Sequence, residues 1–301
     1  MIKKLAWLAT GTLIWLSGCG GGGTTTAGNG IGSGGTGSYT SGPVTGLGSI
    51  IVNGVRYNVE SAAVSDDDGT AGFGKADLKL GMLVEVQGSA LTAGSGTEPD
   101  TGTATIVKVA SDFVGPARNI VRNLDGDITS FTVFGRTIHV DGKTVYSAAL
   151  DNGDPVAVFG LVSADGYTAT RVQRLAFAPV YKVTGKVVAW DSGNRTFSLG
   201  GRTFEYGTDV SLPSGFGVGS WVRVRVSSLV IELAQVPVVS VRAAANGPVS
   251  VPVARVKGVI GAMNSATRFV VNGVTVDASS ATLSDLSGGL AAGVRVEVRG
   301  R

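Results

Sequence analysis

The stretch Leu78–Gly88, LKLGMLVEVQG, decides the fold because the same pattern occurs four times in the chain. Each copy has a large apolar residue, a glycine three positions later, and then valines that alternate with other residues. The copies lie at Leu78–Gly88, Leu150–Gly160, Phe216–Val226 and Leu290–Gly300. Their glycines are Gly81, Gly153, Gly219 and Gly293, which stand 72, 66 and 74 residues apart. This irregular spacing predicts separate small units with variable loops rather than a tight solenoid.

A second block precedes each copy and predicts a β-hairpin. Apolar residues alternate on both sides of a two-residue turn, and alternation with period 2 places them on one face of a strand pair. The turns are Asn53-Gly54, Phe134-Gly135, Gly200-Gly201 and Asn272-Gly273. Asn-Gly and Gly-Gly suit a type I′ turn, in which both central residues have positive φ. Phe134 departs from this turn chemistry, which leaves a different geometry open for the second hairpin.

The two blocks together predict an all-β chain. Each unit has about five short strands in roughly 65 residues, which favours a small closed or nearly closed barrel of the OB-like or SH3-like type. An immunoglobulin-like sandwich, with about seven strands in ~100 residues, is the alternative. We therefore expect a tandem array of about four small β-barrel repeats.

The predicted organisation has six segments. Residues 1–18 form a lipoprotein signal peptide, and 19–43 form a lipidated cysteine with a flexible Gly/Ser/Thr tether. The repeats are expected at 44–112, 113–178, 179–246 and 254–301. By comparison with the others, the last repeat lacks its closing strand.

The N-terminus, MIKKLAWLATGTLIWLSGC, predicts export and lipidation. Its apolar stretch after Lys3 and Lys4 is too short for an ordinary membrane-spanning helix, which needs about 20 apolar residues. Leu16, Ser17, Gly18 and Cys19 resemble the bacterial lipobox. That resemblance implies cleavage before Cys19, acylation of Cys19 and membrane attachment through the lipid. A plain signal peptide with a chance cysteine is the alternative. Gly20, in place of Asp, favours the outer membrane.

The lipobox, the Asn-Gly hairpin and the Leu-x-x-Gly-x-x-Val-x-Val-x-Gly strand together resemble a bacterial envelope family, domain of unknown function 5666. The resemblance covers roughly residues 44–301. It implies tandem small β-barrels in a lipoprotein, and it assigns no catalytic or binding residue.

Composition excludes several classes of protein. A single cysteine and a single histidine, His139, rule out an intramolecular disulfide framework and a site built from several Cys or His ligands. The net charge of +3 includes Lys3 and Lys4, and no basic run concentrates the charge, so we expect no nucleic-acid partner. We expect no cofactor and no enzymatic activity, although a glycosidase that uses only carboxylates stays open.

Two places are candidate sites. Asp66, Asp67 and Asp68 precede a turn glycine and either bind calcium or form a solvated loop. Trp221 lies on the face of its strand opposite Val222, and it either contacts a ligand or packs against a neighbouring unit. The expected function is a non-enzymatic binding or spacing module in the envelope, with an envelope protein or a glycan as partner. An oligosaccharide-binding or glycan-processing protein is the alternative.

Overall fold

The computed structural model describes residues 3–4, 37–163, 166–228, 234–244, 253–271, 274–284 and 288–300. The regular secondary structure of the described chain is almost entirely β-strand, with a short 3-10 turn at Lys75–Asp77, so the all-β prediction is confirmed. Within these residues, no helix is long and apolar enough to cross a membrane. We number the units 1 to 4 after the predicted repeats.

Unit 1 forms a closed barrel of five strands. The barrel strands are β2 (Ser38–Gly46), β3 (Ile50–Val52), β4 (Val55–Asn58), β6 (Leu83–Gly88) and β7 (Asp100–Val109). A sixth strand, β5 (Ala63–Asp66), pairs in parallel with β7 outside this ring. Strand β2 pairs with β3, β3 with β4, β4 with β7 in parallel, β7 with β6, and β6 again with β2. Closure by five strands agrees with a small barrel rather than a sandwich of two sheets.

Units 2 and 3 repeat the same strand order. Unit 2 contains β8 (Phe113–Pro116), β9 (Arg118–Arg122), β10 (Ile128–Val133), β11 (Arg136–His139), β12 (Val145–Tyr146), β13 (Pro155–Ser163) and β14 (Gly166–Arg174). Unit 3 contains β15 (Val180–Lys186), β16 (Ala189–Asp191), β17 (Thr196–Leu199), β18 (Arg202–Glu205), β19 (Trp221–Ser227) and β20 (Gln235–Ala243). In both, the last strand is antiparallel to the Val-x-Val strand and parallel to the second hairpin strand.

Unit 4 contains β21 (Val253–Met263), β22 (Arg268–Val271), β23 (Val274–Asp277) and β24 (Arg295–Gly300). Strand β21 pairs with β22 and β24, and β22 pairs with β23. On its other side, β24 pairs in parallel with β1 (Lys3–Lys4). The described residues contain no counterpart of β7, β14 or β20 in this unit.

The predicted turn geometry is confirmed in the three hairpins whose turns are described. The central φ angles are 50° and 72° at Asn53-Gly54, 54° and 75° at Phe134-Gly135, and 60° and 79° at Gly200-Gly201. Phe134 therefore adopts the same positive φ as Asn53, although its side chain is poorly suited to it. Its ring is buried edge-on against Tyr181 of the next unit, and this packing offsets the strain. Asn272-Gly273 lies outside the described residues.

The alternating valines of the repeat fill the barrel cores. Val222, Val224 and Val226 are each at most 1% exposed, while the residues between them point outward. Four aromatic rings from the hairpins, at most 1% exposed, complete these cores. They are Tyr57, Phe131, Phe197 and Phe269. At ~25 cal/mol per Å² of apolar surface removed from water, such rings are the main source of stability in units this small.

The predicted boundary between tether and barrel at residues 43 and 44 is wrong. Strand β2 begins at Ser38, and Ser38, Tyr39, Thr40 and Ser41 are all buried. The Thr40 hydroxyl lies 2.6 Å from the Tyr57 hydroxyl inside the barrel. This polar stretch therefore packs in the fold because its hydroxyls find partners there, which composition alone does not reveal.

The units associate through strand pairing rather than following one another in a row. Strand β2 of unit 1 pairs in parallel with β21 of unit 4, and β8 of unit 2 pairs with β15 of unit 3. Units 1 and 2 also contact each other, because the Thr170 hydroxyl donates to the Gly81 carbonyl over 2.6 Å. This association creates surfaces between units that no single repeat possesses.

Candidate functional site

A cavity of about 720 Å³ lies between the units. Most of its wall comes from β6, β7 and the acidic loop (Asp66–Gly69) of unit 1, and from β19 and β20 of unit 3. Gly160 and Val270 add single contributions from units 2 and 4. We call this space the interunit cavity, and its volume is in the range of small-molecule sites.

Three neighbouring strands of unit 3 place basic side chains in one patch. Because Val222 and Val224 face the barrel core, Trp221, Arg223 and Arg225 face outward. Arg225 is paired across the sheet with Lys182 and Ser240, and Arg223 with Thr184 and Arg242. We call Lys182, Arg223, Arg225 and Arg242 the cationic face.

The acidic loop of unit 1 docks on this cationic face. Lys182 is 1% exposed, and its Nζ lies 3.0 Å from Asp67 Oδ1 and 2.8 Å from Asp68 Oδ2. Arg223 Nη1 lies 2.9 Å from Asp67 Oδ2. A buried ammonium requires such partners because desolvation of an unpaired charge is costly. The ion pairs therefore join units 1 and 3.

The calcium hypothesis for Asp66, Asp67 and Asp68 is not supported by this geometry. Asp67 and Asp68 are neutralised by basic side chains, while Asp66 accepts hydrogen bonds from the backbone N–H and the hydroxyl of Thr70. The described part of the chain contains no group of three His, Cys, Asp or Glu residues that could hold a metal ion. The charge cluster is a contact between units, which the local sequence could not show.

Two more carboxyls lie in the cavity wall. Burial raises the pKa of Asp112, although a hydrogen bond from the Tyr167 hydroxyl, 2.7 Å from Oδ2, lowers it in part. Burial also raises the pKa of Glu85, against the opposing effect of Lys108 and Arg223. Both carboxyls are therefore easier to protonate than a solvated carboxyl.

Asp112→Asn is expected to raise the melting temperature at pH 7 by a few degrees and to leave it nearly unchanged near pH 3. Because the pKa of Asp112 is raised in the folded state, the protonated form of Asp112 favours folding. Its contribution to the free energy of unfolding is fully present below the ordinary pKa of 3.8, and it is lost as the pH rises through the higher pKa of the folded state. Asparagine stays neutral and still accepts from Tyr167. Thermal unfolding at both pH values tests this, and an equal change at both would contradict it.

Trp221 lines the interunit cavity, a position that agrees with both of its predicted alternatives, contact with a ligand and packing against a neighbouring unit. Its indole Nε1 is buried and has no hydrogen-bond partner among the described residues. Arg225 Nε is also buried without a hydrogen-bond partner, because the Asp68 Oδ1 atom, at 4.0 Å, is beyond hydrogen-bond distance. Buried donors are nearly always paired in proteins. Five other buried polar side-chain atoms of the described residues also lack a partner, and these two differ from them because they belong to residues that line the cavity.

The structure also contains site residues that sequence reasoning missed. Alternation with Val222 and Val224 predicts only that Arg223 and Arg225 lie on the solvent face of their strand. Lys182 gives no signal in the sequence, because alternation with Val183 places it outside its own barrel. At this place the outer surface of the unit 3 barrel is covered by unit 1, so these side chains lie in the contact between the two units. The predicted lipidation site, Cys19, and the lipobox residues Leu16, Ser17 and Gly18 lie outside the described residues.

No curated protein matches the chain. One family model matches it in three segments, at residues 41–97, 120–173 and 257–301, which together make up just over half of the sequence. These segments fall in units 1, 2 and 4, and unit 3 between them has the strand order of units 1 and 2. The chain therefore belongs to the family described as domain of unknown function (DUF5666), of which it carries tandem copies.

Proposed function

We propose that this protein is an envelope lipoprotein, anchored through an acylated Cys19 in the outer membrane, and that its β-repeats form a non-enzymatic binding module. The interunit cavity is the ligand site. The observation that carries the proposal is the pair of buried, unpartnered donors, Trp221 Nε1 and Arg225 Nε, in a cavity of about 720 Å³. The glycine-rich segment after Cys19 gives the module its reach from the membrane.

The contacts of two of the cavity carboxylates support binding rather than catalysis. Asp67 is held by Lys182 and Arg223, and Asp112 accepts from Tyr167. A general acid or base must be within reach of the substrate proton that it transfers, and these carboxylates instead contact protein donors.

The cavity also supports the second candidate, an oligosaccharide-binding protein. Trp221 lines the cavity together with Arg223, Leu212 and Pro213. The indole ring has an apolar face and a polar N–H edge. A sugar ring also has apolar and polar surfaces, so the two rings are suited to pack against each other. We therefore place glycans first among the ligand classes.

Trp221→Ala is expected to abolish capture of the ligand from envelope extract, whereas Trp190→Ala is expected to keep it. Trp190 is a matched control because it is 40% exposed, hydrogen-bonds Tyr206 and lies outside the cavity wall. The measurement is affinity capture of the intact chain after cross-linking, with glycans and proteins identified by mass spectrometry. Equal capture by both variants would show that the interunit cavity is not the ligand site.

The anchor is tested separately by fractionation. Cys19→Ala is expected to move the protein from the membrane fraction to the released fraction, because a stable lipid anchor needs the acylated cysteine. Unchanged membrane association would overturn the lipoprotein part of the proposal and leave the cavity part standing.

A further inference from the structure

Several of the polar side chains that line the interunit cavity can only donate hydrogen bonds. Trp221 Nε1 and Arg225 Nε are buried without acceptors. Arg242 lines the cavity, is exposed, and has no carboxylate within salt-bridge distance among the described residues. Indole, guanidinium and ammonium groups only donate, so a ligand that satisfies them must bring acceptors.

The carboxylates in and beside the wall are hydrogen-bonded or stand opposite a basic side chain. Asp67 and Asp68 accept from Lys182, and Asp112 accepts from Tyr167. Glu85 stands directly across the sheet from Lys108 and interacts with it electrostatically. The hydroxyl groups of a neutral sugar donate as well as accept hydrogen bonds. Some of these donors would find no free carboxylate in the cavity wall.

The acidic loop shows what the cationic face accepts. Asp67 presents both carboxylate oxygens to Lys182, at 3.0 and 3.2 Å, and one of them to Arg223 at 2.9 Å. Oxyanions are the groups that arginine and lysine bind most strongly, through charge-assisted hydrogen bonds. Arg225 and Arg242, beside this occupied position, extend the face into the open cavity.

From these observations, and resting on the proposed function of the cavity as a ligand site, we propose that its ligand is an acidic saccharide. The ring packs on Trp221, and an oxyanion on the sugar binds Arg225 and Arg242. The oxyanion is a carboxylate, as in a uronic acid, or a phosphate, and both present the acceptors that the wall lacks.

The test is a fluorescence titration of the processed chain carrying Trp190→Phe, in which Trp221 is the only remaining tryptophan outside the signal segment. The probes are trigalacturonic acid, glucose 6-phosphate and neutral maltotriose. We expect the acidic trisaccharide to bind at least about tenfold more tightly than maltotriose, with weaker binding at higher salt. Tighter binding of glucose 6-phosphate would assign the oxyanion to a phosphate.

Arg242→Gln is expected to weaken binding of the acidic probe about tenfold, since one charge-assisted hydrogen bond is lost. Arg242 is exposed, so the variant should fold normally, and melting temperature verifies this. Arg56→Gln, an exposed arginine of β4 that does not line the cavity, is the matched control and should change nothing. Equal affinity for maltotriose and the acidic probe would overturn the acidic class and leave the cavity as a ligand site. No binding of either acidic probe, while capture from extract still depends on Trp221, would overturn it as well.

Discussion

Replacing Asp67 and Asp68 together with asparagine is expected to lower the free energy of unfolding by about 3–5 kcal/mol. The double variant leaves the Lys182 ammonium buried without a carboxylate, and Lys182 is 1% exposed. Removing one side of a buried ion pair is costly because the remaining charge loses its partner but stays out of water. Chemical denaturation measures the change.

Two further variants separate this cause from a general effect of losing negative charge. Adding Lys182→Met to the double variant should restore most of the stability, since an apolar side chain of similar length needs no counterion. Asp125→Asn with Asp127→Asn, in an exposed turn of unit 2, should change the free energy of unfolding by no more than about 0.5 kcal/mol. If the double variant at Asp67 and Asp68 were as stable as the parent, the loop would not be the counterion of Lys182.

Local patterns predicted the parts of the fold that local chemistry determines. A type I′ turn depends on two residues, and alternating valines indicate which side of a strand faces the core, so hairpins and barrel strands could be identified. Phe134 shows the limit, because it has a positive φ of 54° that its side chain does not favour, while its ring packs against Tyr181 of another unit. The geometry of the Phe134-Gly135 turn therefore depends on tertiary packing and not on its two residues alone.

The candidate site was largely hidden from the sequence for the same reason. Trp221 could be singled out as an outward tryptophan, but its direction toward a cavity depends on where unit 1 lies. The Asp66–Asp68 cluster was visible as charge, while its counterions Lys182 and Arg223 stand more than 100 residues further along the chain. No spacing rule relates residues that meet only because two barrels pack together.

Gly81→Ala is expected to lower the free energy of unfolding by about 2–5 kcal/mol, more than the same change at the equivalent glycine of unit 2. Both positions have positive φ, 80° at Gly81 and 96° at Gly153, so both variants incur the strain of a left-handed conformation, about 1–2 kcal/mol. At Gly81 a Cβ would also stand 2.4 Å from the carbonyl oxygen of Thr170, whereas at Gly153 nothing lies within 4 Å.

The backbone at Gly81 has little freedom to yield. The Gly81 N–H donates to the Val44 carbonyl over 2.8 Å, and the Gly81 carbonyl accepts from the Thr170 hydroxyl over 2.6 Å, so the added methyl group must separate units 1 and 2. Gly153→Ala is therefore the control that carries the strain without the collision, and denaturation of both variants isolates the contribution of the contact. Equal destabilisation at the two glycines would mean that units 1 and 2 do not approach each other at this point. A larger loss at Gly81 would show that the repeat glycine, besides forming its turn, sets how closely the first two barrels pack.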